Sequence, residues 1–345
     1  MSGPDAPGAP VGGAADEFET IARLLRPLTG GAPEALNLAD DAAVIPSRPG
    51  FDLVVSKDAL VCGVHFLPDD PLDLVARKLL RVNLSDLAAK AAEPYGYFLA
   101  VAWPENTGWP ERERFAAGLA KDQDLFGLRL FGGDTVATPG PLTLSVTIIG
   151  WVPQGRMVRR SGAQPGDHLL VSGEIGDGVL GLRAAQGRLA AMSPAEIEAL
   201  ADRYRLPRPR LGLRAALLGH ARAAADVSDG LLADAGRVAE ASGLGLDLAL
   251  EQVPLSAAAA AWAELQSDRA AALAALAAGG DDYEIACAVA PEEASAFIEA
   301  ARAVGVPVAR VGVFRQGRGV AASFEGRPLA VDRLGYRHGA GDNDR

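Results

Sequence analysis

Apolar runs in this chain repeatedly stop at aspartates. Asp40-Asp41, Asp58, Asp86, Asp134, Asp226 with Asp229, and Asp281-Asp282 stand where apolar stretches end or helices begin. Several sit beside glycines, as in Gly132-Gly133-Asp134-Thr135, Asp229-Gly230 and Gly279-Gly280-Asp281-Asp282. A lone surface aspartate needs only water. Carboxylates that converge after buried elements repel one another, and the usual remedy is a hard divalent cation with oxygen ligands, typically Mg²⁺. Magnesium held by few carboxylates normally fills its shell with phosphate oxygens. The first expectation is therefore a nucleotide-using enzyme.

Composition narrows this further. A length of 345 residues suggests two domains of ordinary size. With 49% hydrophobic and 22% charged residues the chain can bury a substantial core. The net charge of −11 argues against a nucleic-acid partner, which calls for a basic face. Triphosphates are anions too, so an acidic protein that binds them has to recruit cations. Cys62 and Cys287 each lie in an apolar stretch and read as buried reduced thiols, not as a disulfide or metal pair. Met1 to Asp16 is rich in Gly, Ala and Pro, without a basic start or apolar core; it reads as a disordered tail and not as a signal peptide. Arg337 to Arg345 looks unstructured as well, with 340–345 taken as the second tail. The alanine run Ala257 to Ala261 is too short to span a bilayer. No membrane association and a cytoplasmic location are expected.

Two halves emerge from the periodicity. Helical spacing marks Glu17 to Leu28, Leu72 to Ala92 after Pro71, and Glu111 to Asp124 after Pro110. Ala42 to Ile45, Leu53 to Ser56, Tyr97 to Trp103, Leu128 to Phe131 and Leu142 to Trp151 read as strands. Pro153 to Gly166 is rich in Gly, Pro and Arg, and the boundary is placed there, dividing an N-terminal domain, 17–153, from a C-terminal one, 154–339. In the second half, strands are expected at His168 to Ser172, Ala224 to Val227, Leu246 to Leu250, Tyr283 to Val289 and Val308 to Phe314. Helices are expected at Val179 to Gln186, Arg214 to Ala223, Leu231 to Ala241 and Glu292 to Ala303. Ser228 or Asp229 is the expected cap of the helix that Gly243 stops.

Each motif has a plain alternative. Asn83 and Asp86, three apart, share a helix face that is either solvated or, given Leu84 and Leu87, buried. Gly132-Gly133-Asp134-Thr135 is either a tight turn or a place where backbone N–H groups approach a phosphate while the carboxylate holds a cation. Asp226-Val227-Ser228-Asp229-Gly230 supplies a helix cap or an anion site at the positive end of a helix, though a cap leaves Asp226 unexplained. Asp281-Asp282 is a turn or part of the same acidic site. His65 is a hydrogen-bonded structural histidine or a site residue. Arg159-Arg160 is a cationic loop or a phosphate clamp. Neither a Walker A loop nor a G-x-G-x-x-G fingerprint after a strand is present.

Taken in order, Asp40-Asp41-Ala42-Ala43-Val44, Ser56-Lys57-Asp58, Val82-Asn83-Leu84-Ser85-Asp86-Leu87-Ala88-Ala89, Gly132-Gly133-Asp134-Thr135, Arg160-Ser161-Gly162-Ala163-Gln164-Pro165-Gly166-Asp167, Asp226-Val227-Ser228-Asp229-Gly230-Leu231 and Gly279-Gly280-Asp281-Asp282-Tyr283-Glu284 resemble the thiamine-monophosphate kinase family over Glu17 to Gly339. That family belongs to the superfamily of aminoimidazole ribonucleotide synthetase and selenophosphate synthetase. The resemblance implies an α/β (α+β) two-domain fold. In it, an N-terminal sheet domain dimerises with its twin and a C-terminal α/β domain packs behind. It implies transfer of a phosphoryl group from ATP to thiamine monophosphate with several Mg²⁺ ions. By position, Asp41, Ser56, Lys57, Asp58, Asp86, Asp134, Asp226 and Asp229 are the implied metal ligands. Gly133, Asp134, Arg160 and Ser228 are implied to touch ATP, and His65, Asp281 or Asp282, and Tyr336 to touch thiamine phosphate.

Two positions depart from the family pattern: Ala39 where Gly is usual and Lys57 where Thr is usual. A lysine cannot coordinate as a hydroxyl would. A selenophosphate synthetase would need a reactive Cys and a Lys upstream of Asp40-Asp41, and no Cys precedes Cys62. The other readings are a further ATP-dependent synthetase of the superfamily and a non-catalytic nucleotide-binding scaffold. No general base is expected, because a phosphate-monoester acceptor is already ionised near neutral pH.

Overall fold

The structure, a computed structural model, describes residues 17–189 and 191–336. The tails expected at 1–16 and 340–345 lie outside the described residues. Two compact units form. Among the described residues, one gathers 17–46 with Ala59–Leu79 and Gly96–Val146; the other gathers Ser47–Asp58, Leu80–Tyr95 and those from Thr147 to Tyr336.

The first segment is helical but not one helix. α1 (Glu17–Thr20) passes into a π-helical turn (Ile21–Leu25) and then 3₁₀ turns (Arg26–Thr29, Pro33–Leu38). Pro27 lacks the N–H that an α-helix would use, so the pitch changes there. A four-stranded sheet follows from β1 (Phe51–Val61), β2 (Glu93–Pro104), β3 (Leu130–Thr138) and β4 (Thr143–Pro153), in the order β1-β4-β2-β3, with β2 and β3 parallel. α2 (Leu72–Ala89) and α3 (Trp109–Phe126) accompany it. Leu79, Leu80, Leu84 and Leu87 of α2 are fully buried, as their spacing requires.

Three expectations change in this region. Ala42 to Ile45 forms no strand: Val44 is 60% exposed, and its N–H donates to the Glu34 carbonyl at 3.0 Å and not to a strand. The helix from Leu72 ends at Ala89 and not Ala92, because Ala91 takes a left-handed φ of 56°. Gly132-Gly133-Asp134 is not a turn after a strand but the middle of β3. Gly133 has φ 152°, and a Cβ there would lie 1.8 Å from the Leu99 carbonyl oxygen of β2, so only glycine permits the pairing.

The second sheet has seven strands: β5 (His168–Ser172), β6 (Ala221–Val227), β7 (Gly245–Ala249), β8 (Glu284–Val289), β9 (Val308–Arg315), β10 (Val320–Phe324) and β11 (Arg327–Leu329), ordered β11-β10-β7-β9-β5-β8-β6. It is antiparallel except where β10 runs parallel to β7. Alternate residues divide between its faces. Leu169, Val171, Ala223, Ala225 and Ala286 join one apolar cluster with Leu231 and Val238; Leu170, Ala224, Ile285 and Cys287 join another with Phe297 and Ala301. Both faces being covered explains why these strands read as unbroken apolar runs.

The helices of this half are α4 (Asp177–Ala185), α5 (Pro194–Arg205), α6 (Arg214–His220), α7 (Leu231–Ala241), α8 (Ala257–Glu264), α9 (Arg269–Ala277) and α10 (Ala294–Ala303). The expected helix Arg214 to Ala223 stops at His220, since Ala221 and Ala223 pair with β8 instead. α5, α8, α9, β10 and β11 were not anticipated. α5 was legible: Ser193-Pro194-Ala195-Glu196 forms a capping box with proline in the first turn. Cys287 is buried as expected, whereas Cys62 is half-buried; both are free.

Candidate active site

The acidic site grows from β1 and α2. β1 continues through Ser56-Lys57-Asp58, so strand alternation sends Ser56 and Asp58 to one side and Lys57 to the other. Ser56 Oγ donates to Asp86 Oδ2, and the Asp58 backbone N–H donates to Asn83 Oδ1 at 3.2 Å. The shared face of Asn83 and Asp86 on α2 is thus the face that meets β1. Lys57 Nζ turns away and donates to Thr147 Oγ1 of β4 at 3.2 Å. A lysine at 57 therefore takes nothing from the Ser56 and Asp58 side.

Asp226, near the end of β6, brings a third carboxylate. It is 5% exposed. Burial pushes its carboxyl well above the usual range, Asp86 and Asp234 push it further, and Ser85 and Lys90 pull it back. Burial, then Asp86, raises Asp58 to about 6. Lys90, one turn beyond Asp86, donates from Nζ to the Ala224 carbonyl at 2.7 Å. Burial lowers it to about 8 against the pull of Asp226; Arg160 lowers it further and Asp86 raises it. The Tyr283 phenol is raised by burial, then by Asp281, Asp58 and Asp226. Asp58, Asp86, Asp226, Lys90, Arg160, Asp281 and Tyr283 thus form one electrostatic neighbourhood, though they come from distant parts of the chain.

Two loops are laced together beside it. The backbone N–H groups of Asp281 and Tyr283 donate to the carbonyls of Ser228 (2.9 Å) and Val227 (2.8 Å), and Tyr336 N–H donates to the Asp229 carbonyl (2.9 Å). Asp281 and Tyr283 both hold left-handed φ, 71° and 52°, a strained backbone of the kind found at functional loops. Asp281 Oδ1 accepts from the Tyr283 hydroxyl at 3.2 Å. α7 starts differently from expectation. Gly230 is its cap residue, and Asp234 reaches back to accept from the N–H groups of Ser228 (3.0 Å) and Asp229 (2.9 Å). The Asp229 carboxylate is held by Arg237 at 2.6 Å.

Asp282 differs from its neighbour. It is 1% exposed, and its carboxylate accepts from Gly176 N–H (2.9 Å and 3.0 Å) and Gly178 N–H (2.9 Å), so it caps the start of α4 from the neighbouring strand end. Next to it lies a network that sequence reasoning missed. Buried Glu284 accepts from Arg210 (Nε, 2.6 Å; Nη2, 2.5 Å), Arg203 (3.2 Å) and Ser172 (2.7 Å). The charged run Arg203 to Arg210 was the available signal.

The remaining residues stand in the other unit or at the surface. Asp41 is exposed, with its N–H on Asp40 Oδ1 at 2.8 Å. Gly133 and Asp134 are exposed on β3, and Arg160 is exposed. His65 Nδ1 accepts from Val61 N–H at 3.0 Å, and its carbonyl accepts from Lys78 Nζ at 3.1 Å. Among the described residues no group of three or more His, Cys, Asp or Glu side chains forms a ready-made ion cage. No helix there is long and apolar enough to cross a membrane.

The chain matches known proteins over most of its length. Residues 39–152 match the AIR synthase related protein, N-terminal domain, and residues 164–324 the AIR synthase related protein, C-terminal domain. A thiamine-monophosphate kinase of Caulobacter vibrioides is 57% identical over 96% of this chain and 93% of that protein. The crystal structure of thiamine-monophosphate kinase from Stenotrophomonas maltophilia is 36% identical, with a TM-score of 0.79 over 90% of this chain and 97% of that one. AaThiL complexed with AMPPCP and TMP is 27% identical, with a TM-score of 0.74 over 85% and 89%. Motif order, two-domain architecture and near-complete coverage coincide: the chain belongs to the thiamine-monophosphate kinase family.

Proposed function

We propose that the chain transfers the γ-phosphoryl group of ATP to thiamine monophosphate, giving thiamine diphosphate and ADP. The observation that carries this is the neighbourhood of Asp58, Asp86 and Asp226, in which Asp86 helps to push up both other carboxylates, inside a chain of this family. Carboxylates crowded in this way fit a hard cation. The solved relative that carries AMPPCP, whose non-cleavable bridge mimics ATP, and TMP supports the pair of substrates.

Asp58, Asp86 and Asp226, with Ser56, would hold Mg²⁺ here; bound, it would offset the charge shared by two anionic reactants. Each side chain would give an oxygen, and water and phosphate oxygens complete such a shell. Asp41, Asp134, Asp229 and the Lys57 backbone keep the ligand roles that family resemblance assigns. Arg160 and Ser228, with Gly133, are proposed to bind ATP, and His65, Asp281 and Tyr336 the thiamine phosphate. Asp282 is proposed to act on substrate only by holding Asp281 in place.

In the transfer, an oxygen of the acceptor phosphate attacks the γ-phosphorus as the bond to the β–γ bridging oxygen breaks, and ADP leaves with those electrons. No proton needs removing from the acceptor. The protein's task is alignment and charge balance. Leu53 (43% exposed), Val55 (56%) and Val136 (49%) on the four-stranded sheet support a homodimer built on that sheet. A cytoplasmic location and a division into 17–153 and 154–339 complete the proposal. A coupled assay of ADP release with and without thiamine monophosphate tests it: release that depends on thiamine monophosphate is expected. Release indifferent to it, or none, overturns the assignment.

A further inference from the structure

The loop 279–283 carries two left-handed residues, Asp281 (φ 71°) and Tyr283 (φ 52°), and a strained backbone persists only where its surroundings hold it. Its backbone is tied to the carbonyls of Ser228 and Val227. Its end is tied by one side chain. Glu284, the first residue of β8, is fully buried. Its carboxylate accepts from Arg210, Nε to Oε2 at 2.6 Å and Nη2 to Oε1, so the guanidinium grips both oxygens. Ser172 Oγ donates to Oε2 at 2.7 Å and Arg203 Nη2 to Oε1 at 3.2 Å. The same Arg203 nitrogen reaches the Asp282 carbonyl at 3.4 Å. Gly173 leaves room for this fork: a Cβ there would lie 2.2 Å from Glu284 Oε1 and 2.5 Å from Arg210 Nη2. The connection that carries Arg210 is held in turn by α2, where Arg81 donates Nη1 to the Pro207 carbonyl at 3.0 Å.

A buried ion pair adds little stability over apolar side chains of the same shape, whereas a two-pronged guanidinium–carboxylate bond fixes orientation. We propose that Arg210 is a positioning residue for the phosphate acceptor: its fork on Glu284 sets the end of the loop 279–283, and so the placement of the Asp281 carboxylate that meets thiamine monophosphate. This rests on the substrate role proposed above for Asp281. Arg210 does not touch substrate; it acts through Glu284 and the backbone that leads to Asp281. Its loss therefore weakens the hold on thiamine monophosphate and leaves ATP, bound by other residues, nearly unaffected.

Arg210→Lys is the discriminating variant, because it keeps the charge but offers a point ammonium in place of the fork. The coupled ADP-release assay on the full chain gives kcat and the KM for each substrate. Arg210→Lys is expected to raise KM for thiamine monophosphate about tenfold, with KM for ATP within about twofold of the parent, on the scale of a misplaced binding group. In an Asp281→Asn background the same substitution is expected to change that KM by less than about twofold, because a residue that acts through Asp281 then has nothing left to place. A parental KM for thiamine monophosphate in Arg210→Lys overturns the proposal. So do KM values that rise together for both substrates, and effects of Arg210→Lys and Asp281→Asn that simply multiply. Should Arg210→Lys fail to fold, Glu284→Gln, which keeps the shape but loses one acceptor of the fork, carries the same comparison. If neither variant folds, the pair is architectural and the proposal falls. A parent whose ADP release ignores thiamine monophosphate defeats the reaction itself, and is told apart because the unsubstituted protein alone shows it.

Discussion

Adjacent aspartates 281 and 282 look equivalent in sequence, and the structure predicts opposite consequences for their loss. The Asp282 carboxylate satisfies the N–H groups of Gly176 and Gly178 in a site with 1% exposure. Asp282→Ala leaves two buried donors without partners, each worth about 1–3 kcal/mol, and relieves part of the cost of burying a charge. The net expectation is a loss of about 3 kcal/mol, read by scanning fluorimetry as a melting point lower by roughly 6–12 °C. Asp282→Asn keeps one acceptor oxygen, so it should lose less than half as much.

Protonation gives a second signature. Burial holds the Asp282 carboxyl well above 3.8, with Gly176, Gly178 and Arg203 opposing. The folded chain then binds this proton more tightly than the unfolded one, so this group's contribution falls as pH rises from 3.8 through the folded value. Asp282→Asn should remove that slope. Asp281→Asn, at a left-handed position that Asn tolerates, should cost no more than about 1 kcal/mol and instead raise KM for thiamine monophosphate. An Asp282→Ala protein as stable as the parent, or an Asp281→Asn protein that melts as early as Asp282→Ala, would refute the division of labour.

Other outcomes are as direct. Asp58→Asn should reduce kcat by about a hundredfold or more with circular dichroism unchanged, on the scale of lost charge alignment in phosphoryl transfer; parental turnover would count against the carboxylate's role. Exhaustive chelation should abolish ADP release, and added Mg²⁺ should restore it. Gly133→Ala should cost about 3 kcal/mol or prevent folding, because its Cβ would meet the Leu99 carbonyl at 1.8 Å. A normal melting curve for that variant would show that β3 can shift away from β2.

Much of the fold could be read from pattern. α7 was placed residue for residue, and β5 likewise, because an apolar run between glycine- and aspartate-rich turns has few other ways to bury itself. Failures came where local preference lost to pairing. Ala221 and Ala223 favour a helix in isolation yet extend along β8, and Val44, a good strand former, gives its N–H to the Glu34 carbonyl instead of a strand. Alanine-rich α8 and α9 carry little contrast between their faces, so their periodicity was faint.

The sequence alone singled out the acidic, glycine-punctuated motifs whose order marks the thiamine-monophosphate kinase family. It could not say which carboxylates are spent on the protein itself. Tertiary structure decided that Asp282 caps α4, that Asp229 is held by Arg237, that Lys57 faces away, and that Lys90 reaches the strand bearing Asp226. The reason is physical. Charge and residue type are properties of single positions, whereas desolvation and the choice of hydrogen-bond partner arise only when residues far apart in the chain are packed side by side.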